Sequence, residues 1–515
     1  MQRKPVLIVG AGPVGLLIAN GLAANNIPFE IIDRKPGPST ESKGLALNIS
    51  SQMAFRLCGI DDSLGIGGCR IKRLDIHWNQ RRYSSINFAH LPTDRNYLIT
   101  QPQWVTEQEL INVLEHPVHW SRELVGVCLK DDTVIVQIKS ADGITSTEYD
   151  FVVGCDGKHS IVRSYITQEA QTTQYNMHFV LGDFHITEHL SRDTVQYQVF
   201  EHGFYILVPI SEELTRVVVK FDGPPPERPV KASDIVDYVN HKSGMSLLEG
   251  DPTWISRAPF YNSVCSRIQN DRLFIAGDAA HLFSPIGGTG MNTGFQDAIN
   301  LTWRLSYYYQ GYSGKDILNA YEKERVPANT QGMLSADANT MNIADVTQAT
   351  PFIEAIAPVP HNRPNLRDNF PSVMSGYTYS LETTKASVGA IGLYHTALCD
   401  LVLMRKKHGN GRFLLRHTLL LNSSLLTVMS IRLTTERCAE FDFVDVVVIL
   451  EDDLGNIPDH LRYPYTLLRP DGVIEMVCNS RDISPILEYL EGNYQVTSRH
   501  ISTDVRNAAD LPAGM

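Results

Sequence analysis

A chain of 515 residues is too long for one compact core, so two or three domains are expected. Its 43% hydrophobic and 20% charged residues suit a folded globular protein and exclude a disordered or low-complexity one. A formal net charge of −12, with no basic run to offset it, argues against nucleic acid or an anionic membrane as the main partner.

The first residues, Met1 to Pro5, lead into Val6-Leu7-Ile8-Val9 without the apolar core of a signal peptide. That short β-branched run reads as a strand buried in a parallel sheet. Gly10-Ala11-Gly12-Pro13-Val14-Gly15 follows, then a helical pattern from Leu16 to Ala24 and a second strand, Phe29 to Ile32, ending in Asp33. In such a unit Gly10 permits the tight turn, Gly12 lets a pyrophosphate approach the backbone, and Gly15 lets helix and strand pack closely. The helix N-terminus offers unpaired N–H groups and a positive dipole end, and Asp33 can accept from ribose hydroxyls. This motif serves FAD and NAD alike.

Asp150 to Arg163 reads as strand, turn and helix start, with Asp156-Gly157 at the turn and Ser160 and Arg163 beyond it; a purely structural turn would look the same. A richer segment begins at Arg272. Leu273 to Ala276 is a buried strand, and Gly277-Asp278 puts a carboxylate at its carboxyl end, where α/β folds bind ligands. After His281 comes the loop Pro285-Ile-Gly287-Gly288-Thr-Gly290, whose glycines let backbone N–H groups face a ligand, then a helix from about Met291 to Leu305. No Lys-Ser/Thr pair follows these glycines, which excludes a P-loop.

Three motifs in this order and spacing resemble those of the single-component flavoprotein aromatic hydroxylases, the p-hydroxybenzoate and phenol hydroxylase class. Gln296 to Leu305, Tyr321 to Pro327, and Gln103 with Glu107 and Leu110 are also similar to that family, so the likeness covers roughly the first 330 residues. The resemblance implies an α/β (α+β) architecture: a Rossmann-like FAD-binding domain over 1–175 plus 266–375, an inserted antiparallel substrate domain over 176–265, and a carboxyl-terminal domain over 376–515. It implies that Gly10, Gly12, Pro13, Val14, Gly15, Asp33 and Arg34 hold the ADP part of FAD. Asp156 and Gly157 would serve FAD and the transient reductant, NADPH or NADH. Gly277 and Asp278 would hold the ribityl chain, with Gly288, Gly290, Met291 and Asn292 at the isoalloxazine edge and the Pro285 carbonyl near its reacting face. Gln103 matches a cofactor-contacting glutamine. Lys43 stands where the family usually has Arg, keeping the cation but losing the bidentate fork.

From Met177 to Asp222 apolar and polar residues alternate, as in an antiparallel sheet. In the family this sheet builds the substrate pocket, which makes Tyr197, Phe200, Phe204 and Tyr205 candidate substrate contacts, although aromatics in alternating strands are often core. The apolar stretch Phe413 to Leu433 carries Arg416, His417, Asn422, Ser423, Ser424 and Arg432, so a buried or amphipathic helical region is expected there rather than a membrane span. Phe441 to Leu450, a hairpin turning at Arg469-Pro470-Asp471-Gly472, and a helix from Ser484 to Leu490 resemble the thioredoxin-like domain of the phenol hydroxylase branch. The eight cysteines form no Cys-x-x-Cys pair, so redox work is not expected of that domain; packing or a homodimer contact is. Such cysteines read as buried free thiols of a cytoplasmic protein, with no metal.

The activity implied by the resemblance is hydroxylation of a phenolic or polycyclic aromatic with NAD(P)H and O₂, through a C4a-hydroperoxyflavin. Pro102 to Glu107 resembles the polyketide and rifamycin hydroxylase branches and favours a large polycyclic substrate. Epoxidation, antibiotic tailoring or antibiotic inactivation would keep the same motifs. A flavin halogenase would need a Trp-x-Trp-x-Ile-Pro stretch, which the five tryptophans do not provide. A non-catalytic flavin-binding protein is the alternative of a different class.

Overall fold

The computed structural model describes residues 3–40, 44–60, 65, 67–186, 190–201, 203–221, 230–283, 288–344, 378–380, 393–406 and 415–495. Val6–Val9 is the centre of a six-stranded sheet, flanked by Phe151–Gly154 and Phe29–Ile32, with Leu273–Ile275 and Val118–His119 beyond them. These pairings are all parallel; only Gln269–Asn270, at one edge, runs antiparallel. Val6, Leu7 and Ile8 are completely buried, as a strand covered on both faces requires. Helix Pro13–Ala24 returns from the first strand, with Pro13 in its first turn, and packs against helices Gln103–Val113 and Thr289–Gln310. Asn20 Nδ2 donates to Leu110 O at 3.1 Å and pins the first two of these helices together. The third has 22 residues, about 33 Å, and outruns the expected end at Leu305 until Gly311 caps it with φ +82°.

Two long strands, Ala170–His185 and Trp254–Cys265, rise out of this unit into an eight-stranded sheet with Leu214–Lys220, Phe204–Pro209 and Thr194–Val199. Residues 73–87, which precede the inserted segment in sequence, also join it: Arg73–Trp78 pairs parallel with Thr194–Val199, and Arg81–Asn87 forms the edge. Strand alternation gives the sheet two apolar faces. Phe179, Leu181, Tyr197, Phe204 and Ile206 share one with Ile49 and Leu98. Val180, Phe184, Tyr205, Leu207 and Phe200 pack on the other, beneath helix Ala232–Ser243. A charge pair is sealed into the sheet: Arg216 Nε and Nη2 donate to Asp183 at 2.7 and 2.8 Å, with Trp254 stacked on the guanidinium.

The carboxyl-terminal part holds a four-stranded sheet in the order Val444–Ile449, His417–Asn422, Tyr465–Leu468, Ile474–Cys478, its first pair parallel and the others antiparallel. With helices Val428–Cys438 and Ser484–Asn493 this is a thioredoxin-like arrangement. The helical expectation for Phe413 to Leu433 needs correction, because His417–Asn422 is the buried central strand and the helix starts only at Val428. Apolar runs buried on all sides carry no period to separate strand from helix. The break is made by Asn422, whose Oδ1 accepts from Ser424 N and Oγ at 3.1 and 2.7 Å. The expected boundary near residue 376 lies outside the described residues. A second correction concerns the thiols: Cys128 is exposed and Cys155 half-buried, whereas the other six are buried. Among the described residues no helix is long and apolar enough to cross a membrane.

This domain is not merely tethered. Its hairpin turn enters the groove between helices Thr289–Gln310 and Asn319–Ala344. There Arg469 Nη1 and Nη2 donate to Glu324 at 2.8 and 3.0 Å, and its Nε donates to Asp471 at 2.9 Å. Asp471 also accepts from Trp303 Nε1 at 3.1 Å and Asn300 Nδ2 at 3.2 Å. Beside this cluster His417 lies between the Tyr307 hydroxyl and Glu475, each at 2.7 Å.

Candidate functional site

The carboxyl ends of the parallel strands bring the three motifs together. Gly10 has φ +106°, and a Cβ there would lie 2.4 Å from Cys155 O, so the first turn is wedged against the Asp156-Gly157 segment. A Cβ on Gly15 would lie 2.0 Å from Gly10 O, which forces glycine where helix meets turn. Gly12 is different: a Cβ there would meet nothing within 4 Å, so its surroundings are open. As N-cap of helix Pro13–Ala24, Gly12 brings no side chain to cover the first N–H groups, which suits an anionic ligand. Asp33 is buried at the end of its strand and accepts from Ala11 N and Lys35 N, each at 2.8 Å, so it is anchored beside the turn. Arg34, next to it, is exposed.

Asp156 closes the second motif. Its Oδ2 accepts from Ile161 N at 2.7 Å, while its Oδ1 is buried without a hydrogen-bond partner. Burial raises its pKa above the usual carboxylate value, against the hydrogen bonds from Ser160 and the following amides. Gly157, at φ +76°, makes the turn. Arg163 then joins the second motif to the third by donating to Lys158 O at 2.6 Å and Ala279 O at 3.0 Å.

In the third motif Gly277 turns at φ +61° and Asp278 is exposed amid buried neighbours. Gly277 N donates to Asp297 Oδ2 at 3.1 Å, and the same oxygen lies 2.9 Å from His281 Nε2. Arg325 Nε donates to Asp297 Oδ1 at 2.8 Å. Burial opposes a charge on Asp297, but Arg325 and His281 outweigh it and hold the pKa below its ordinary value. This buried triad fixes the Gly277-Asp278 turn, and His281 is occupied in it. Sequence reasoning missed the linkage; its one signal was a carboxylate on the apolar stripe of the helix.

At the start of helix Thr289–Gln310, Gly288 is left-handed at φ +63°. Gly290 has Phe283 nearby, 3.9 Å from where its Cβ would be. Asn292 is a clamp rather than a free amide. It donates to Ala46 O at 2.9 Å and Gly288 O at 2.6 Å, and accepts from Asn48 N at 3.0 Å and Ser51 Oγ at 2.7 Å. Gln103 Oε1 accepts from Gly44 N at 3.0 Å, and Met291 Sδ would lie 3.3 Å from a Cβ on Gly44. Lys43 and Pro285 lie outside the described residues. Of the four candidate substrate aromatics, Tyr197 and Phe204 share one face of the large sheet, whereas Phe200 and Tyr205 pack on the opposite face.

The donor set fits an adenine dinucleotide carrying a flavin: open space at Gly12, a buried orphan oxygen on Asp156, and an exposed carboxylate just beyond the buried parallel strand Leu273–Ile275. Residues 3–335 match the sequence model of an FAD binding domain. Over 373 residues the chain is 28% identical to the 6-methylpretetramide 4-monooxygenase of Streptomyces rimosus, a match that takes in 69% of this chain and 66% of that protein, about two thirds of its length. It is 29% identical over 349 residues to the dialkyldecalin synthase of Streptomyces rugosporus, covering 65% of this chain and 72% of that one. The solved ternary complex of aklavinone-11 hydroxylase with FAD and aklavinone shares the fold, with TM-score 0.72 over 95% of this chain and 98% of that chain at 18% identity.

Proposed function

The chain belongs to the FAD binding domain family of flavoproteins, and from that premise we propose that it is an NAD(P)H-dependent monooxygenase hydroxylating a phenolic or polycyclic aromatic compound. The observation that carries this reading is the convergence of three ordered motifs around the open backbone at Gly12. In it Asp33, with Arg34 beside it, holds the adenosine end, the Gly10–Gly15 turn holds the pyrophosphate, and Asp278 holds the ribityl chain. Asp156 and Gly157 serve both nucleotides. Gly44, Gln103, Gly288, Gly290, Met291 and Asn292 would hold the isoalloxazine end. Bound FAD supplies electron transfer from NAD(P)H and the activation of O₂.

The chain's own part is orientation, dryness and electrostatics. The positive end of helix Thr289–Gln310 favours negative charge at the isoalloxazine. The apolar sheet face bearing Tyr197 and Phe204 excludes water and receives the aromatic substrate. The relative acting on 6-methylpretetramide supports a polycyclic substrate. Exposed Leu425, Met429 and Leu433, at four-residue spacing, support a homodimer through the thioredoxin-like domain. Free thiols suit the cytoplasm.

The test is NAD(P)H consumption by purified protein across phenols and polycyclic aromatics, with mass spectrometry of the products. A product that gains one oxygen, together with faster NAD(P)H oxidation, is expected; NAD(P)H oxidation indifferent to every aromatic would reject the reading. A second reading, synthesis of a decalin ring system, comes from the similarity to dialkyldecalin synthase, and in the same experiment a product that gains no oxygen would support it. Asp278→Ala is expected to weaken FAD binding by about 10- to 100-fold, the effect of losing a charge-assisted hydrogen bond. Full flavin content in that variant, read from visible absorbance, would remove Asp278 from the site.

A further inference from the structure

We propose that Glu107 is a positioning residue for the cofactor: acting through Gln103, it fixes the backbone at Gly44 where the isoalloxazine end of FAD binds. This rests on the FAD reading above. Glu107 is 2% exposed, on the buried face of helix Gln103–Val113 with Thr106 and Leu110. Its Oε1 accepts from Gln103 Nε2 at 2.8 Å, and the Ser39 backbone N–H donates to the same carboxylate. Lys35 and Asp33 are the charges near it, with opposite effects.

A carboxylate can only accept, so it draws the NH₂ of Gln103 towards itself and leaves the amide oxygen facing the other way. That oxygen accepts from Gly44 N at 3.0 Å. Without Glu107 the amide is free to turn over and present its NH₂ to the Gly44 N–H, donor against donor. Gly44 has little room to adjust, because a Cβ there would lie 3.2 Å from Gln103 Oε1 and 3.3 Å from Met291 Sδ. The next two residues are tied as well: Leu45 O accepts from Gln101 N at 3.0 Å, and Ala46 O from Asn292 Nδ2 at 2.9 Å. Of these three ties only the one at Gly44 depends on a buried charge. Packing does not call for that charge, since an apolar residue fills such a position without the desolvation penalty, as Leu110 does on the same helix face.

Glu107→Ala, Glu107→Met, Gln103→Ala and the Glu107→Ala/Gln103→Ala double variant decide the matter through two dissociation constants. FAD binding is read by quenching of flavin fluorescence, and ADP binding, which samples the adenosine end alone, by calorimetry. We expect each Glu107 variant to weaken FAD about tenfold, the effect of one hydrogen bond, and to leave ADP within about twofold. The double variant should bind FAD no worse than the weaker single one, because both changes break the same tie. Glu107→Met keeps the packing, so if the alanine variant does not fold the methionine variant still decides. Unchanged FAD affinity in Glu107→Met, equal losses for ADP and FAD, or multiplicative losses in the double variant would each overturn the proposal. A wild-type chain that binds no FAD would overturn the functional reading instead.

Discussion

Asp471→Ala is expected to lower the unfolding free energy by about 3–5 kcal/mol, the penalty for stripping a partner from a buried charge. Arg469 is 5% exposed and Asp471 3%, so no water replaces the lost carboxylate. The same change removes the acceptor of Trp303 Nε1 and Asn300 Nδ2 and leaves both donors buried. Chemical denaturation monitored by tryptophan fluorescence is the measurement, because Trp303 reports on this junction. Arg432→Ala is the control. The Arg432–Glu436 pair is solvent-exposed, and its loss should stay below about 1 kcal/mol. Equal effects would mean that the hairpin is not anchored by charge.

Acid should open the same junction. Burial opposes the charges on Glu324 and Glu475, yet Arg304 and Arg469 around the first, and His417 and Arg469 around the second, outweigh it and bring both pKa values down from 4.5 to about 2. Groups depressed in this way stabilise the folded state above their unfolded pKa and lose that contribution as pH falls through the folded one. Stability at the junction should therefore decline between about pH 4.5 and pH 2. Thermal midpoints that stay flat over that window would contradict it.

The second large effect separates two glycines of one motif. Gly12→Val is expected to yield a folded protein without flavin, because a Cβ at Gly12 meets nothing in the chain but enters the space proposed above for the pyrophosphate. Gly10→Ala should instead damage the fold, since its Cβ would stand 2.4 Å from the Cys155 carbonyl at a φ of +106°. Circular dichroism and visible absorbance of the two purified variants distinguish the outcomes. A yellow Gly12→Val protein would refute the cradle, and a stable Gly10→Ala protein would refute the wedge.

The parts legible in the sequence are those whose chemistry is local. Turns at Gly10, Asp156-Gly157 and Gly277-Asp278, the strands leading into them and the 469–472 hairpin all follow from short-range rules, and the structure forms them where expected. Contacts between distant residues were not legible. Nothing near Asp297 announces Arg325, and nothing near Arg469 announces Glu324. The pairing of Arg73–Trp78 with Thr194–Val199 joins segments more than a hundred residues apart, beyond the reach of any local pattern. Alternation gives the period of the aromatics in the large sheet but not which of them share a face with which neighbours. Only the register of the strands puts Tyr197 and Phe204 on one face and Phe200 and Tyr205 on the other.

Helix Thr289–Gln310 begins at the candidate isoalloxazine site and carries Asn300, Trp303 and Tyr307, which engage the thioredoxin-like domain, towards its far end. Over its length of about 33 Å it acts as a lever, so a tilt of about 2° at the docked end moves the other end by about 1 Å. A misplacement of that size is enough to change a rate by about 100-fold. Substitutions in the hairpin at 469–472 are therefore expected to reach the start of the helix, where Gly290, Met291 and Asn292 stand, without touching it.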